Sequence, residues 1–417
     1  MALNKNPITG MRDITPQEML IRDYVIDLIK KTYKSFGYTP IETPVMESLG
    51  NLLSKQGGDN EKLIFKVLKR GEKLKIDSAK TEEDLADAGL RYDLTVPLVR
   101  YYAAHNSELP KPFKALQIGP GFRADRPQKG RFRQFYQCDI DILGEGTKAA
   151  ETDLLLATST LLGKLGFEGF VLHINDRRLL KAMAAWCGME ESRFDDAFIT
   201  WDKMDKIGLD GVVKELRENG FSEESVKAYE DLSMTLQRAE MPLKALSELL
   251  SADEAAQGYI RDLEAIVASV EQAATVRFEV RFDPTLVRGM SYYTGPIFEL
   301  ELADFGSAAG GGGRYDEMVG KFIGQQVPAC GISIGFERLI TILMDQGFTI
   351  PDQAAKKAYL LEKNLPEEKV LEIRKKAAEE RLAGRTVLVT NMIKNKKFQK
   401  DQLSSEGYAE IEEIYNR

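Results

Sequence analysis

The stretch 122–141, FRADRPQKGRFRQFYQCDID, constrains the fold of this 417-residue chain more than any other. Both ends have strand character and the middle holds Pro127 and Gly130, so it reads as a long antiparallel hairpin. The two-residue period of a strand sends Arg133, Phe135, Gln137, Asp139 and Asp141 to one face. An arginine, an aromatic ring, an amide and two carboxylates in a row are costly in an apolar core, where polar groups need partners. They suit the floor of a polar ligand site, or the solvated face of an antiparallel sheet.

The flanking sequence supplies more strands and the helices to cover them. Residues 19–36 carry Ile21, Tyr24, Val25, Leu28, Ile29 and Tyr33 at helical spacing, with Thr15-Pro16 as a start and Gly37 as a stop. Further helices fit 94–105, 150–166 and 336–346. Segments 39–47, 63–69, 113–119, 132–143, 170–175, 276–283 and 292–304 read as strands. Residues 178–275 change to helical periodicity and read as an inserted helical domain. The core therefore falls into two parts, 1–177 and 276–346, followed by a linker at 347–355. Residues 356–417 alternate as strand, helix, strand, helix, strand, a small βαβαβ unit with a parallel sheet.

Charge and composition exclude several classes. The chain has 57 basic and 65 acidic residues, a net charge of −8, which argues against nonspecific coating of nucleic acid. Two local patches run the other way. Residues 123–133 and 394–400 each carry a balance of +4, and 356–417 is net positive while the rest is acidic. No apolar run approaches the ~18 residues of a membrane span and no signal-peptide core is visible, which points to the cytoplasm. Three scattered cysteines and two histidines leave little room for a disulfide framework or a zinc site.

Two further constellations are weak alone. In TLVRGMSYYTG, 285–295, Arg288 precedes a glycine, and Tyr292 and Tyr293 would point to opposite faces of a strand. The glycine run AAGGGGRYD, 308–316, lacks the Lys-Ser/Thr of a phosphate-binding P-loop and reads as a flexible turn. GISIGFERL, 331–339, passes from a strand into a helix whose first turn holds Glu337, a complement to the helix dipole, and Arg338.

In this order the segments resemble the class II aminoacyl-tRNA synthetases, and within them the histidyl-tRNA synthetase family. The similarity begins at GMRDITP near the N-terminus. YTPIETPVME (38–47) looks like the first class motif, FRADRPQKGRFRQFYQCDID the second and GISIGFERL the third. LVRGMSYYTG and GGGGRYD resemble segments peculiar to the histidyl family, and LRYDLT (90–95) its amino-acid loop. The resemblance implies an α+β fold: a mixed, mostly antiparallel sheet flanked by helices, a helical insertion, and a small C-terminal α/β domain like a shortened anticodon-binding domain. It also implies a homodimer with the first motif at the interface.

The implied reaction activates L-histidine with ATP and Mg²⁺, then transfers it to the 3′ end of tRNA(His). By resemblance, Arg123 and Arg288 are the catalytic pair at the α-phosphate, and both also approach the amino-acid carboxylate. Arg131 and Arg338 hold the outer phosphates with Mg²⁺, Phe135 and Arg338 sandwich adenine, and Asp125 accepts from its amino group. Neutral imidazole needs one donor and one acceptor, which Tyr293 and Asp141 can supply, with Tyr292 and Tyr315 beside them. Asp93, Leu94, Thr95 and Gln137 take the ammonium end. Arg126, Gln128 and Lys129 face the tRNA acceptor end, and Lys396, Lys397 and Lys400 contact tRNA from the terminal domain. No resident metal site is implied. The competing reading is a non-catalytic, histidine-sensing regulatory subunit of ATP phosphoribosyltransferase. The retained Arg123, Arg131, Arg288 and Arg338 and the helical insertion stand against it.

Overall fold

Eight strands build the central sheet of the computed structural model, which describes residues 3–53, 58–127, 130–288, 292–302, 308–351 and 355–416. They are β1 (Thr39–Pro40), β2 (Phe113–Phe122), β3 (Gln134–Leu143), β4 (Val171–Asp176), β5 (Glu279–Phe282), β6 (Pro296–Glu301), β7 (Ala308–Arg314) and β8 (Ala329–Gly335). Their spatial order is β1-β2-β3-β8-β7-β6-β4-β5. The outer pairs β1–β2 and β4–β5 are parallel and the five pairings between them antiparallel. β2 and β3 form the long hairpin expected from the sequence, in register from Phe113 opposite Leu143 to Phe122 opposite Gln134.

Amphipathic helices cover the sheet. In α1 (Pro16–Ser35), Val25, Ile29 and Tyr33 are fully buried, at the helical spacing the sequence shows. α2 (Thr95–His105) buries Val96, Leu98, Val99 and Tyr102. α3 (Ala149–Lys164) packs on β3 and β8, and α4 (Phe336–Asp345) on β3, β7 and β8. A small antiparallel sheet of Met46–Ser48, Lys66–Leu68 and Ala86–Leu90 lies beside the first motif; the last of these strands was not evident in the sequence.

Between β4 and β5 the chain is helical, from Arg177–Trp186 to Glu254–Ala273. Asp176, Ser222 and Asp253 cap three of these helices by accepting backbone N–H groups, which otherwise have no partner at a helix start.

The chain divides into two compact units: Met1–Ile14 with Arg22–Gln346, and Thr15–Ile21 with Gly347–Arg417. The second unit contains a parallel sheet of β9 (Lys356–Leu361), β10 (Val387–Asn391) and β11 (Tyr408–Ile414), with β9 central. Alternate residues of β9 feed opposite cores. Tyr359 and Leu361 pack with Ile373 and Ala377 of one crossover helix, and Ala358 and Leu360 with Leu403 of the other.

Two local expectations are overturned. The glycine run is not a turn but the strand β7, hydrogen-bonded on both edges. Tyr292 and Tyr293 do not alternate on a strand; they lie in the turn before β6, with ring centroids 4.7 Å apart, and both face the same cavity.

Candidate active site

Residues 139 on β3, 333 on β8, 311 on β7 and 299 on β6 lie in register across the sheet, so Asp139, Ser333, Gly311 and Glu299 share one face. Above them opens a polar cavity of about 250 Å³. Asp93, Thr95, Arg123, Asp125, Arg131, Phe135, Gln137, Asp141, Arg288, Tyr292, Tyr293, Tyr315 and Arg338 all line it. The glycines of β7 and β8 keep its floor open. A Cβ on Gly311 would meet the Arg288 guanidinium at 2.5 Å and the Phe298 carbonyl at 2.6 Å, and one on Gly331 would collide with the Asp141 carboxylate.

Four arginines surround the open space. Arg123 sits 4.1 Å from the Tyr92 ring centroid and 5.0 Å from that of Phe135, with its Nε donating to the Tyr92 carbonyl at 3.2 Å. Arg288 has φ of 62°, a left-handed conformation that costs a β-carbon residue on the order of 1 kcal/mol. Its Nη1 donates to Glu299 Oε2 at 2.8 Å, which holds the guanidinium over Gly311. Burial and then the neighbouring charge of Arg131, with Arg288 and Arg123 adding to it, push the Arg338 pKa down. Glu299 offsets this repulsion only in part, and so dense a cluster of guanidinium groups marks a place that favours negative charge.

The cavity also holds buried carboxylates and is short of donors to them. Asp93 Oδ1 accepts from the N–H groups of Thr95 and Val96 at 3.1 and 3.2 Å, while its Oδ2 is buried without a partner. Gln137 Nε2 donates to Ser333 Oγ at 3.1 Å and more weakly to Asp139, leaving Gln137 Oε1 buried and unpartnered. Burial raises the pKa of Asp93 against the pull of Arg123. Burial and the nearby Asp141 push Asp139 well above the carboxylate range. Asp141, buried but hydrogen-bonded to Tyr315, is raised to about 7.

A buried ion pair fixes the helix behind the arginines. Arg22 of α1 donates through Nη1 and Nη2 to the two oxygens of Glu337, both at 2.8 Å, and the Tyr136 N–H donates to Glu337 Oε1 at 3.1 Å. Burial would raise the pKa of Glu337, but Arg22 holds it below the usual range. Glu337 is thus an anchor within the fold, a role beyond complementing a helix dipole.

Some expected residues stand elsewhere. The Leu94 side chain is buried, and its carbonyl accepts from Gln117. Arg126 is exposed and does not line the cavity, and Gln128 and Lys129 lie outside the described residues. In the second unit Lys396 and Lys397 are both exposed; Lys396 bonds the Tyr415 hydroxyl at 3.0 Å, and the partly exposed Lys400 pairs with Glu413. Sequence reasoning gave no role to Asp139 and missed Ser333, Glu299, Tyr92 and Arg22. Asp139 already stands in the row read by the two-residue period, so only its role was missing; the others carry no such signal.

The histidyl-tRNA synthetase from Nostoc sp. PCC 7120 superposes with a TM-score of 0.76 at 28% identity, covering 97% of this chain and 90% of that one. A Bacillus halodurans chain described as an ATP phosphoribosyltransferase regulatory subunit/histidyl-tRNA synthetase has the same fold, with a TM-score of 0.78 at 21% identity and 99% of each chain covered. The sheet and its covering helices are those of a class II aminoacyl-tRNA synthetase. A family profile described as histidyl-tRNA synthetase matches residues 10–339. The chain belongs to the histidyl-tRNA synthetase family. The histidine–tRNA ligase of Leifsonia xyli is 42% identical, over 98% of this chain and 95% of that protein. That of Christiangramia forsetii is 39% identical, over 81% and 76%.

Proposed function

We propose that the protein is a histidine–tRNA ligase: it activates L-histidine with ATP and passes it to the 3′ end of tRNA(His). The observation that carries this reading is the polarity of one cavity. The same cavity holds four arginines and two buried acceptors, Asp93 Oδ2 and Gln137 Oε1, that lack donors. A ligand with an ammonium group at one end and phosphate at the other satisfies both, and histidine beside ATP is such a pair.

In the first step a histidine carboxylate oxygen attacks the α-phosphorus, an O–P bond forms, and pyrophosphate leaves with the electrons of the broken P–O bond. Negative charge spreads over the phosphate oxygens, so positioned guanidinium groups provide most of the catalysis. In this reading Arg123 and Arg288 approach the α-phosphate, Arg131 and Arg338 hold the outer phosphates, and Phe135, Arg338 and Asp125 hold adenine. Asp141 accepts from the imidazole N–H and Tyr293 donates to its other nitrogen, while Asp93, Thr95 and Gln137 take the ammonium. In the second step a hydroxyl of the terminal tRNA ribose attacks the acyl carbon and AMP leaves.

Mg²⁺ enters this scheme as the counter-ion of ATP, carried on phosphate oxygens. No cluster of three His, Cys, Asp or Glu ligands for a metal exists among the described residues. No described helix is long and apolar enough to cross a membrane. The half-exposed Val45 and Met46, within the first motif, support a homodimer through that surface. Histidine-dependent exchange of pyrophosphate into ATP tests the chemistry. The regulatory-subunit alternative predicts histidine binding with no exchange.

A further inference from the structure

We infer that the N-terminal segment 8–12 is a positioning element for the loop 123–133, through Gly10 and Arg12; this rests on the reading of that loop as part of the ATP site. The segment folds into a turn, with the Met11 N–H donating to the Ile8 carbonyl at 2.9 Å. Arg133 closes onto it: its N–H donates to the Gly10 carbonyl at 2.8 Å, and its Nη1 to that of Thr9 at 3.2 Å. The same side chain donates from Nε to the Asp125 carbonyl at 3.1 Å, and the Arg123 N–H donates to the Arg133 carbonyl at 2.9 Å. One arginine therefore ties the N-terminal turn to both flanks of the loop.

Gly10 is required by this closeness. Its φ is 84°, and a Cβ there would meet the Arg133 side chain at 2.8 Å and Pro127 at 2.9 Å. Arg12 completes the connection. Its guanidinium lies 4.6 Å from the Phe132 ring centroid, and its Nη2 bonds Glu337 Oε2 at 3.2 Å. Phe132 is the neighbour of Arg131, and Glu337 that of Arg338. Arg12 thus links the loop that carries one outer arginine to the helix that carries the other, and neither Gly10 nor Arg12 lines the cavity. Both act through other residues, and the effect belongs to nucleotide, not to histidine.

The test uses the full chain in histidine-dependent pyrophosphate exchange, with KM measured separately for ATP and histidine and the thermal midpoint recorded. Arg12→Ala should raise the ATP KM about tenfold, because a small misplacement of positioning groups is felt strongly, and leave the histidine KM within about twofold. Arg12→Lys keeps the charge but not the planar face for Phe132, and should restore only part of the loss. In a Phe132→Leu background the Arg12→Ala effect on ATP KM should shrink, since the two act as a unit. Equal rises in both KM values, additive effects, or a lower thermal midpoint with unchanged KM values would overturn the inference and leave the assigned function standing. Absence of exchange in the unaltered protein would overturn both.

Discussion

The Tyr315 hydroxyl donates to Asp141 Oδ1 across 2.5 Å, and both residues are buried beneath the cavity. Burial raises Asp141 to about 7, and the tyrosine hydrogen bond holds it from rising further. The carboxylate form is the one that accepts from an imidazole N–H. The histidine KM should therefore fall as pH rises through 7. Tyr315→Phe removes the donor, should raise the histidine KM about tenfold at pH 7, in line with ~1.5–3 kcal/mol for a hydrogen bond to a charged group, and should move the inflection to higher pH. Steady-state kinetics from pH 6 to 9 check this; superimposable profiles would contradict it.

Stability should run against function at the same residue. With a folded pKa of about 7 and an unfolded value near 3.9, Asp141 holds more protons in the folded state between these limits, so it destabilises the fold progressively as pH rises through them. Asp141→Asn should thus raise the ligand-free unfolding free energy at pH 8, by on the order of 1–4 kcal/mol, with little effect near pH 4. The same variant should weaken histidine binding more than ATP binding. Denaturation scans at both pH values and calorimetric titration with each ligand read the two effects.

The row from Phe135 to Asp141 was legible because a strand repeats every two residues and polar side chains on that period are conspicuous. The ends of α1, α3 and α4 were legible to within a few residues from their apolar spacing. β7 was not: glycines have no side chains to alternate and are poor strand formers, and the reason for them lies in the close approach of Arg288 to Gly311 and of neighbouring-strand backbone to Gly310, Gly312 and Gly313. Glu337 was read only in part for a similar reason. Its partner Arg22 is 315 residues away, so only its local position at a helix start was visible.

Arg288 owes its place to Glu299 and to the missing side chain of Gly311. Arg288→Ala should lower adenylate formation by about 10²–10³ while histidine still binds, by analogy with the loss of one oxyanion donor. Gly311→Ala should approach the same loss, because the added carbon lies within 2.5 Å of the guanidinium. Rapid-quench measurement of adenylate, beside histidine titration, separates chemistry from binding. Near-normal adenylate formation in Arg288→Ala would remove its assigned role.

The Arg22–Glu337 pair should matter most to stability. With side chains only 4% and 7% exposed, removing Arg22 leaves the buried Glu337 carboxylate with only the longer contact to Arg12 as an ion pair. Arg22→Met should cost about 3–5 kcal/mol in chemical denaturation, and the double variant Arg22→Met with Glu337→Leu should recover much of that loss.

The terminal lysines should not contribute equally to tRNA binding. Lys396 and Lys397 are both exposed, but Lys396 and Lys400 already engage Tyr415 and Glu413. Lys397→Ala should weaken tRNA binding and flatten its salt dependence by about one phosphate contact, and Lys400→Ala should change it less. Filter binding between 50 and 200 mM salt measures both slopes.

Exchange of labelled pyrophosphate into ATP by the purified protein tests the central proposal most directly. Exchange should require L-histidine, proceed without tRNA, and disappear in Arg123→Ala and Arg288→Ala. Tight histidine binding with no exchange, or exchange that persists in both arginine variants, would contradict the assignment of this cavity to histidine activation.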